Sequence, residues 1–126
     1  GSPPLVNFLG RLDRESERDQ QTLHEYAFVL LPSCSEANAT SVVSMVLDRG
    51  MIPIISRECS IPFSSELICL SDISVAALKS AVNYAMSLTA DDTIARSCRL
   101  QSTYLERYSP QNFHSSLKAI LIACGL

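Results

Sequence analysis

The segment from Ala27 to Ser56 constrains the fold more than any other part of the chain. Ala27 to Leu31 is an uninterrupted apolar run closed by Pro32 and Ser33, the pattern of a strand covered on both faces of a sheet. After a polar turn, Ala39 to Arg49 carries Val42, Met45 and Val46 on one helical face, and Gly50 supplies a C-terminal stop. Met51 to Ile55 then reads as a second buried strand. Two strands joined through one helix at this spacing form a crossover unit, so the sheet is parallel. A turn that opens directly into a helix also has chemical consequences. The first helical turn exposes backbone N–H groups with no intrahelical partner and carries the positive end of the helix dipole. Phosphate groups bind at such termini without any basic side chain.

The flanking sequence extends this pattern. Leu5 to Leu9 followed by Gly10 reads as a strand that stops at a tight turn. Arg11 to Glu25 is charged and polar, a surface helix with Leu23 and Tyr26 turned inward. Glu66 to Leu70 is a short edge strand, and the remainder is helical. Val75, Leu78, Val82 and Ala85 form one apolar stripe, Ile94, Cys98 and Leu105 another. Ser109-Pro110 is a good N-cap with proline at the first helical position, opening a last helix with Phe113, Leu117, Ile120 and Cys124 on one face. The expected fold is α/β: a Rossmann-like parallel sheet flanked by helices, with a helical C-terminal tail. Gly1-Ser2 reads as the scar of a cleaved expression tag, leaving one domain over residues 3–126.

Composition removes several function classes. The net charge is −3, the pI about 5.3, and the ten basic residues are scattered. A nucleic-acid or membrane-surface binder would cluster them. No run of 18 apolar residues exists to make a transmembrane span. The five cysteines, Cys34, Cys59, Cys69, Cys98 and Cys124, are odd in number and irregular in spacing. They fit neither a disulfide framework nor a zinc site and read as reduced thiols of a cytoplasmic protein. Asp91-Asp92 reads as helix capping, and His24 and His114 lack partner motifs, so no metal site is expected. The Asn38-Ala39-Thr40 sequon is discounted on the same cytoplasmic reading.

Ligands of parallel sheets sit outside the carboxyl ends of the strands. The loops Gly10 to Asp13, Pro32 to Thr40 and Ser56 to Ile61 are expected to meet at that edge. In the middle loop, Glu36 offers two acceptor oxygens suited to neighbouring sugar hydroxyls. Asn38, Ala39, Thr40 and Ser41 are small enough to let a phosphate reach the backbone amides, with Thr40 adding a hydroxyl. Arg57 is an accessory candidate for a charge-assisted contact, and Gly10 a second accessory position. Glu36 as a simple helix cap and Arg57-Glu58 as a solvated pair are the structural alternatives.

These residues resemble the nucleotide-sugar half-site of GT-B-fold glycosyltransferases, especially the large retaining family four. Pro32-Ser33, Ser35-Glu36, Gly50 and Ile52-Pro53-Ile54-Ile55-Ser56 match its pattern in order and spacing. Val6 to Gly10 is similar to the preceding strand of that domain, and Tyr108-Ser109 through Leu121 to its closing helices. The resemblance implies that Glu36, as the first of the family's paired glutamates, contacts the hydroxyls of the donor sugar. It also implies that Ala39, Thr40 and Ser41 present amides to the diphosphate. The second glutamate, which binds ribose, would fall at Ser44, whose side chain is shorter and uncharged. Ala37 stands where a glycine is usual. The family's earlier strands, with their Arg and Lys, and its N-terminal acceptor domain are missing from these residues.

The chain therefore resembles the last part of a donor-binding domain. The implied substrate is a nucleoside diphosphate sugar, with no cofactor and no metal, and these residues alone are expected to be inactive. The implied partner is the missing acceptor domain, and an exposed sheet edge makes homodimerisation an option. The alternative from another class is a non-catalytic interaction or scaffold module with an eroded donor site. A generic nucleotide or phosphate receptor of the same topology is a weaker third reading.

Overall fold

In the computed structural model, the structure describes residues 6–13, 15–36, 40–62 and 64–126. The elements run α1 (Glu17–His24), β1 (Phe28–Leu31), α2 (Thr40–Arg49), β2 (Ile52–Ile55), a 3-10 turn (Arg57–Cys59), β3 (Ile68–Cys69), α3 (Val75–Ser87), α4 (Ala90–Arg107) and α5 (Pro110–Ala123). The strands form one sheet in the order β1-β2-β3, all parallel, with Phe28 opposite Ile52 and Ile54 opposite Ile68. The α/β expectation and the crossover through α2 hold, and β3 is the short edge strand expected between Glu66 and Leu70.

Side-chain alternation along β2 divides the core into two layers. Ile55 turns to one face, where Val42, Val43 and Val46 of α2 meet Leu100 and Tyr104 of α4. Ile52 and Ile54 turn to the other, where Ala81 and Ala85 of α3 pack with Ile68 and Leu70. All four residues of β2 are buried, as a central strand requires. β1 departs from the expected two-sided burial. Val29 and Leu31 pack toward α2, but Leu30 on the opposite face is 44% exposed because the α3 cluster reaches only Phe28 at this edge.

The apolar stripes read from the sequence are displaced on the last three helices. On α3 the buried set is Ala77, Ala81 and Ala85, whereas Val75 is 70% exposed. Small side chains let the helix approach a sheet whose own residues are large. On α4 the buried residues are Leu100 and Tyr104, and Ile94, Cys98 and Leu105 face outward. That inner face is half polar: Ser97 Oγ donates to the Gly50 carbonyl (2.5 Å) and Gln101 Nε2 to the Leu47 carbonyl (2.7 Å). α5 forms with the expected cap, Ser109 Oγ accepting from the Asn112 N–H and Pro110 opening the helix, yet buries none of its residues. Its apolar face, including Phe113, Leu117 and Ile120, stays exposed.

Residues 6–9 do not form a strand, and Phe8 is 97% exposed. A strand needs a ladder partner, and residues 6–12 make no hydrogen bond among the described residues. α1 is shorter than the charged run that suggested it. Leu23 is half-buried, while Tyr26, expected inside, is exposed. Arg49 of α2 ties α1 down through Nη1 to the Gln20 carbonyl (3.0 Å).

Candidate functional site

At the carboxyl ends of β1 and β2 the chain enters two loops that are stitched together. Ser56, the one buried polar residue among those described, donates its Oγ to the Ser33 carbonyl at 2.5 Å. Cys59 Sγ donates to the Leu31 carbonyl at 3.3 Å, and the Glu36 N–H donates to the Glu58 carbonyl at 3.1 Å. These bonds satisfy backbone groups that would otherwise be orphaned beside the core. They also fix the loop that carries Glu36. Cys59 is thus a buried packing residue, and all five thiols are free.

Glu36 is half-buried. Its Oε1 accepts from Ser33 Oγ at 3.5 Å, a long contact, and Oε2 has no partner among the described residues. No described amide of α2 donates to this carboxylate. Thr40 and Ser41, in the first turn of α2, are exposed and their hydroxyls make no bond among the described residues. No acidic side chain stands in that turn, so its positive end is uncompensated. Ala37, Asn38 and Ala39 lie outside the described residues, and with them the expected diphosphate amides of Asn38 and Ala39. Ser44 sits a turn further on, half-buried, with Oγ donating to the Thr40 carbonyl at 3.1 Å. It lines a groove shared with Leu23 and His24 of α1.

Of the expected loops, Pro32 to Thr40 and Ser56 to Ile61 are brought together, whereas the Gly10 loop is not joined to them. Gly10 adopts φ +73°, as a tight turn demands, but no strand delivers it to the sheet edge. Arg57 is exposed with no ion pair to Glu58. It lines a cavity of about 660 Å³ at the ends of β2 and β3, formed by Ile55, Ile61, Leu67, Cys69 and Leu70 with Ser56 and Ser71. Neither Glu36 nor the first turn of α2 lines that cavity. Sequence reasoning missed it because its walls come from three separate segments.

A second missed feature is the polar clamp behind the sheet. Arg99 holds Glu66 with two bonds, Nε to Oε1 at 2.8 Å and Nη2 to Oε2 at 3.2 Å. The hydrogen bond from Arg99 keeps the Glu66 carboxyl below its usual range. Arg96 donates to the Ser65 and Glu66 carbonyls and to the Tyr84 hydroxyl, joining α3, α4 and the approach to β3. Nothing local in the sequence signals partners thirty residues apart. The Tyr104 hydroxyl is buried without a partner among the described residues, and burial pushes its pKa up to about 12. Among the described residues no group of three His, Cys, Asp or Glu is placed to hold a metal ion, and Asp92 serves instead as a cap partner of Thr89. No described helix is long and apolar enough to cross a membrane.

No protein-family model matches the chain, and no curated protein or solved structure does either.

Proposed function

We propose that this α/β unit is the nucleotide-sugar-binding portion of a glycosyltransferase of the GT-B type, acting within a larger enzyme. The observation that supports the reading is the pairing of a tethered acidic loop with an open helix start. Glu36 is positioned by the bond from its N–H to the Glu58 carbonyl and keeps one carboxylate oxygen unpartnered. A few residues on, Thr40 and Ser41 open α2 with unbonded hydroxyls and no competing acid. A sugar held through its hydroxyls by Glu36 would direct its diphosphate toward the α2 N-terminus. There the dipole would stabilise the charge that develops on the departing nucleoside diphosphate. Positioning and charge stabilisation are the whole contribution of these residues, so the isolated chain binds without transferring.

Ser44 favours a second reading. Its hydroxyl is spent on the Thr40 carbonyl, so the position where the family's second glutamate would hold a ribose offers no free side-chain group, which fits a module whose donor site has eroded. One titration separates the two. UDP-glucose, ADP-glucose and GDP-mannose are each titrated into the full chain and into Glu36→Ala by calorimetry. Donor binding predicts heat with at least one sugar nucleotide and affinity about tenfold weaker in the variant. Absence of heat with all three sinks the donor reading and leaves the interaction module.

A further inference from the structure

The cavity at the ends of β2 and β3 has a composition unlike that of the Glu36 loop. Ile55, Ile61, Leu67 and Leu70 supply apolar walls, and no carboxylate among the described residues lines it. Among the described residues Arg57 is the only charged one lining it, and its guanidinium has no hydrogen bond or ion pair among them. At about 660 Å³ the space is in the range of small-molecule sites, which pair a mostly apolar lining with a few orienting polar groups. An unpaired guanidinium beside an apolar hollow selects for one anionic head attached to an apolar body. A cation would meet Arg57 and find no acid to offset the repulsion. A polyhydroxylated ligand would leave its hydroxyls unpaired against the isoleucine and leucine walls, which is costly.

We propose that this cavity binds a small amphiphilic anion, its alkyl chain against Ile55, Ile61, Leu67 and Leu70 and its head group on Arg57. The proposal does not depend on nucleotide-sugar binding, because Glu36, Thr40 and Ser41 are not part of the cavity. Cys69 lines the cavity and is half-buried, while Cys34, Cys98 and Cys124 are exposed elsewhere. That arrangement provides a built-in reporter.

The rate of Cys69 alkylation in the full chain, followed site by site by mass spectrometry, is compared with and without decanoate, decyl phosphate or decyltrimethylammonium. The exposed cysteines serve as internal references. Saturable protection of Cys69 alone by decanoate or decyl phosphate is expected, the more protective of the two assigning the head group. In Arg57→Gln the concentration needed for protection rises at least about tenfold, and Arg57→Lys restores most of it. Ser71→Trp, at an exposed lining position, abolishes protection without touching the charge. Equal labelling of Cys69 with and without both anions overturns the proposal. So does equal protection by decyltrimethylammonium, or protection unchanged in Arg57→Gln.

Discussion

At its C-terminal end α2 is bonded to side chains of α4. Gly50 N–H returns to the Val46 carbonyl at 2.9 Å, Gln101 takes the Leu47 carbonyl and Ser97 the carbonyl of Gly50 itself. At its N-terminal end, Thr40 and Ser41 face solvent with hydroxyls unbonded among the described residues and no acid in the first turn. The same helix therefore hands the Leu47 carbonyl, and that of Gly50 just beyond it, to side chains of α4 and leaves its first turn open. One end carries stability, and the other is free for a ligand, since a loop or terminus that must receive something cannot also be filled by the fold.

The sharpest way to break this contrast is to remove the core that holds α4 against α2. Leu100 is fully buried between the two helices and the sheet. Leu100→Ala should cost about 2–5 kcal/mol, read as a drop in the urea midpoint. A smaller loss would mean that α4 is not what anchors α2. Gly50→Ala comes next. Gly50 has φ +64°, and a Cβ there would lie 2.6 Å from Ser97 Oγ. Strain and the displaced serine together predict a loss of roughly 1–2 kcal/mol, whereas the nucleotide-sugar affinity proposed for the other end should stay unchanged.

Tyr104→Phe tests the same interface at high pH. The buried phenol ionises near 12 in the folded chain and near its ordinary value of about 10 when unfolded. The unfolded state thus loses that proton first, and stability contributed below pH 10 fades as pH rises toward 12. The variant should unfold with a flatter alkaline limb. At neutral pH it should match or exceed the parent by up to about 1 kcal/mol, because an unpartnered buried hydroxyl is removed. A marked loss at neutral pH would show that the hydroxyl has a partner in solution.

The gentlest probe is Ser41→Asp. Placing an acid in the open first turn should stabilise the chain by a few tenths of a kcal/mol, seen as a small rise in melting temperature. It should also weaken binding of any diphosphate. If stability rises and calorimetric binding is untouched, the α2 N-terminus is not where the phosphate sits.

The sequence was most legible where a single residue type leaves no choice. Pro32, Gly50 and the Ile52–Ile55 run mark a strand end, a helix end and a buried strand in any context, and the crossover follows from them. It was least legible where the face of a helix is chosen by its neighbours. α4 turns Ser97, Leu100, Gln101 and Tyr104 inward because the end of α2 needs donors there as much as it needs apolar cover. A count of apolar periodicity selects Ile94, Cys98 and Leu105 instead. On α3 the alanines win because close approach to large strand residues outweighs side-chain size. In the candidate site, Glu36 and the α2 start could be found by motif. The Ser56–Ser33 and Glu36–Glu58 ties, the Arg57 cavity and the Glu66–Arg99 clamp could not, since each joins residues far apart along the chain.

The sheet's two edges are unequal, and this sets a limit on growth. Alternation along β1 turns the Ala27 and Leu31 carbonyls to β2, which bonds them through Ile52 and Ser56. The polar groups of Phe28 and Leu30 therefore face outward, and Pro32 ends the run by offering no N–H. β3 at the far side spans only two residues, too few to template a neighbour. Any strand added from outside must arrive at β1. Two copies that met there would consume each other's open edge and leave nothing for a third, so pairing of this kind terminates itself and cannot propagate into a fibre.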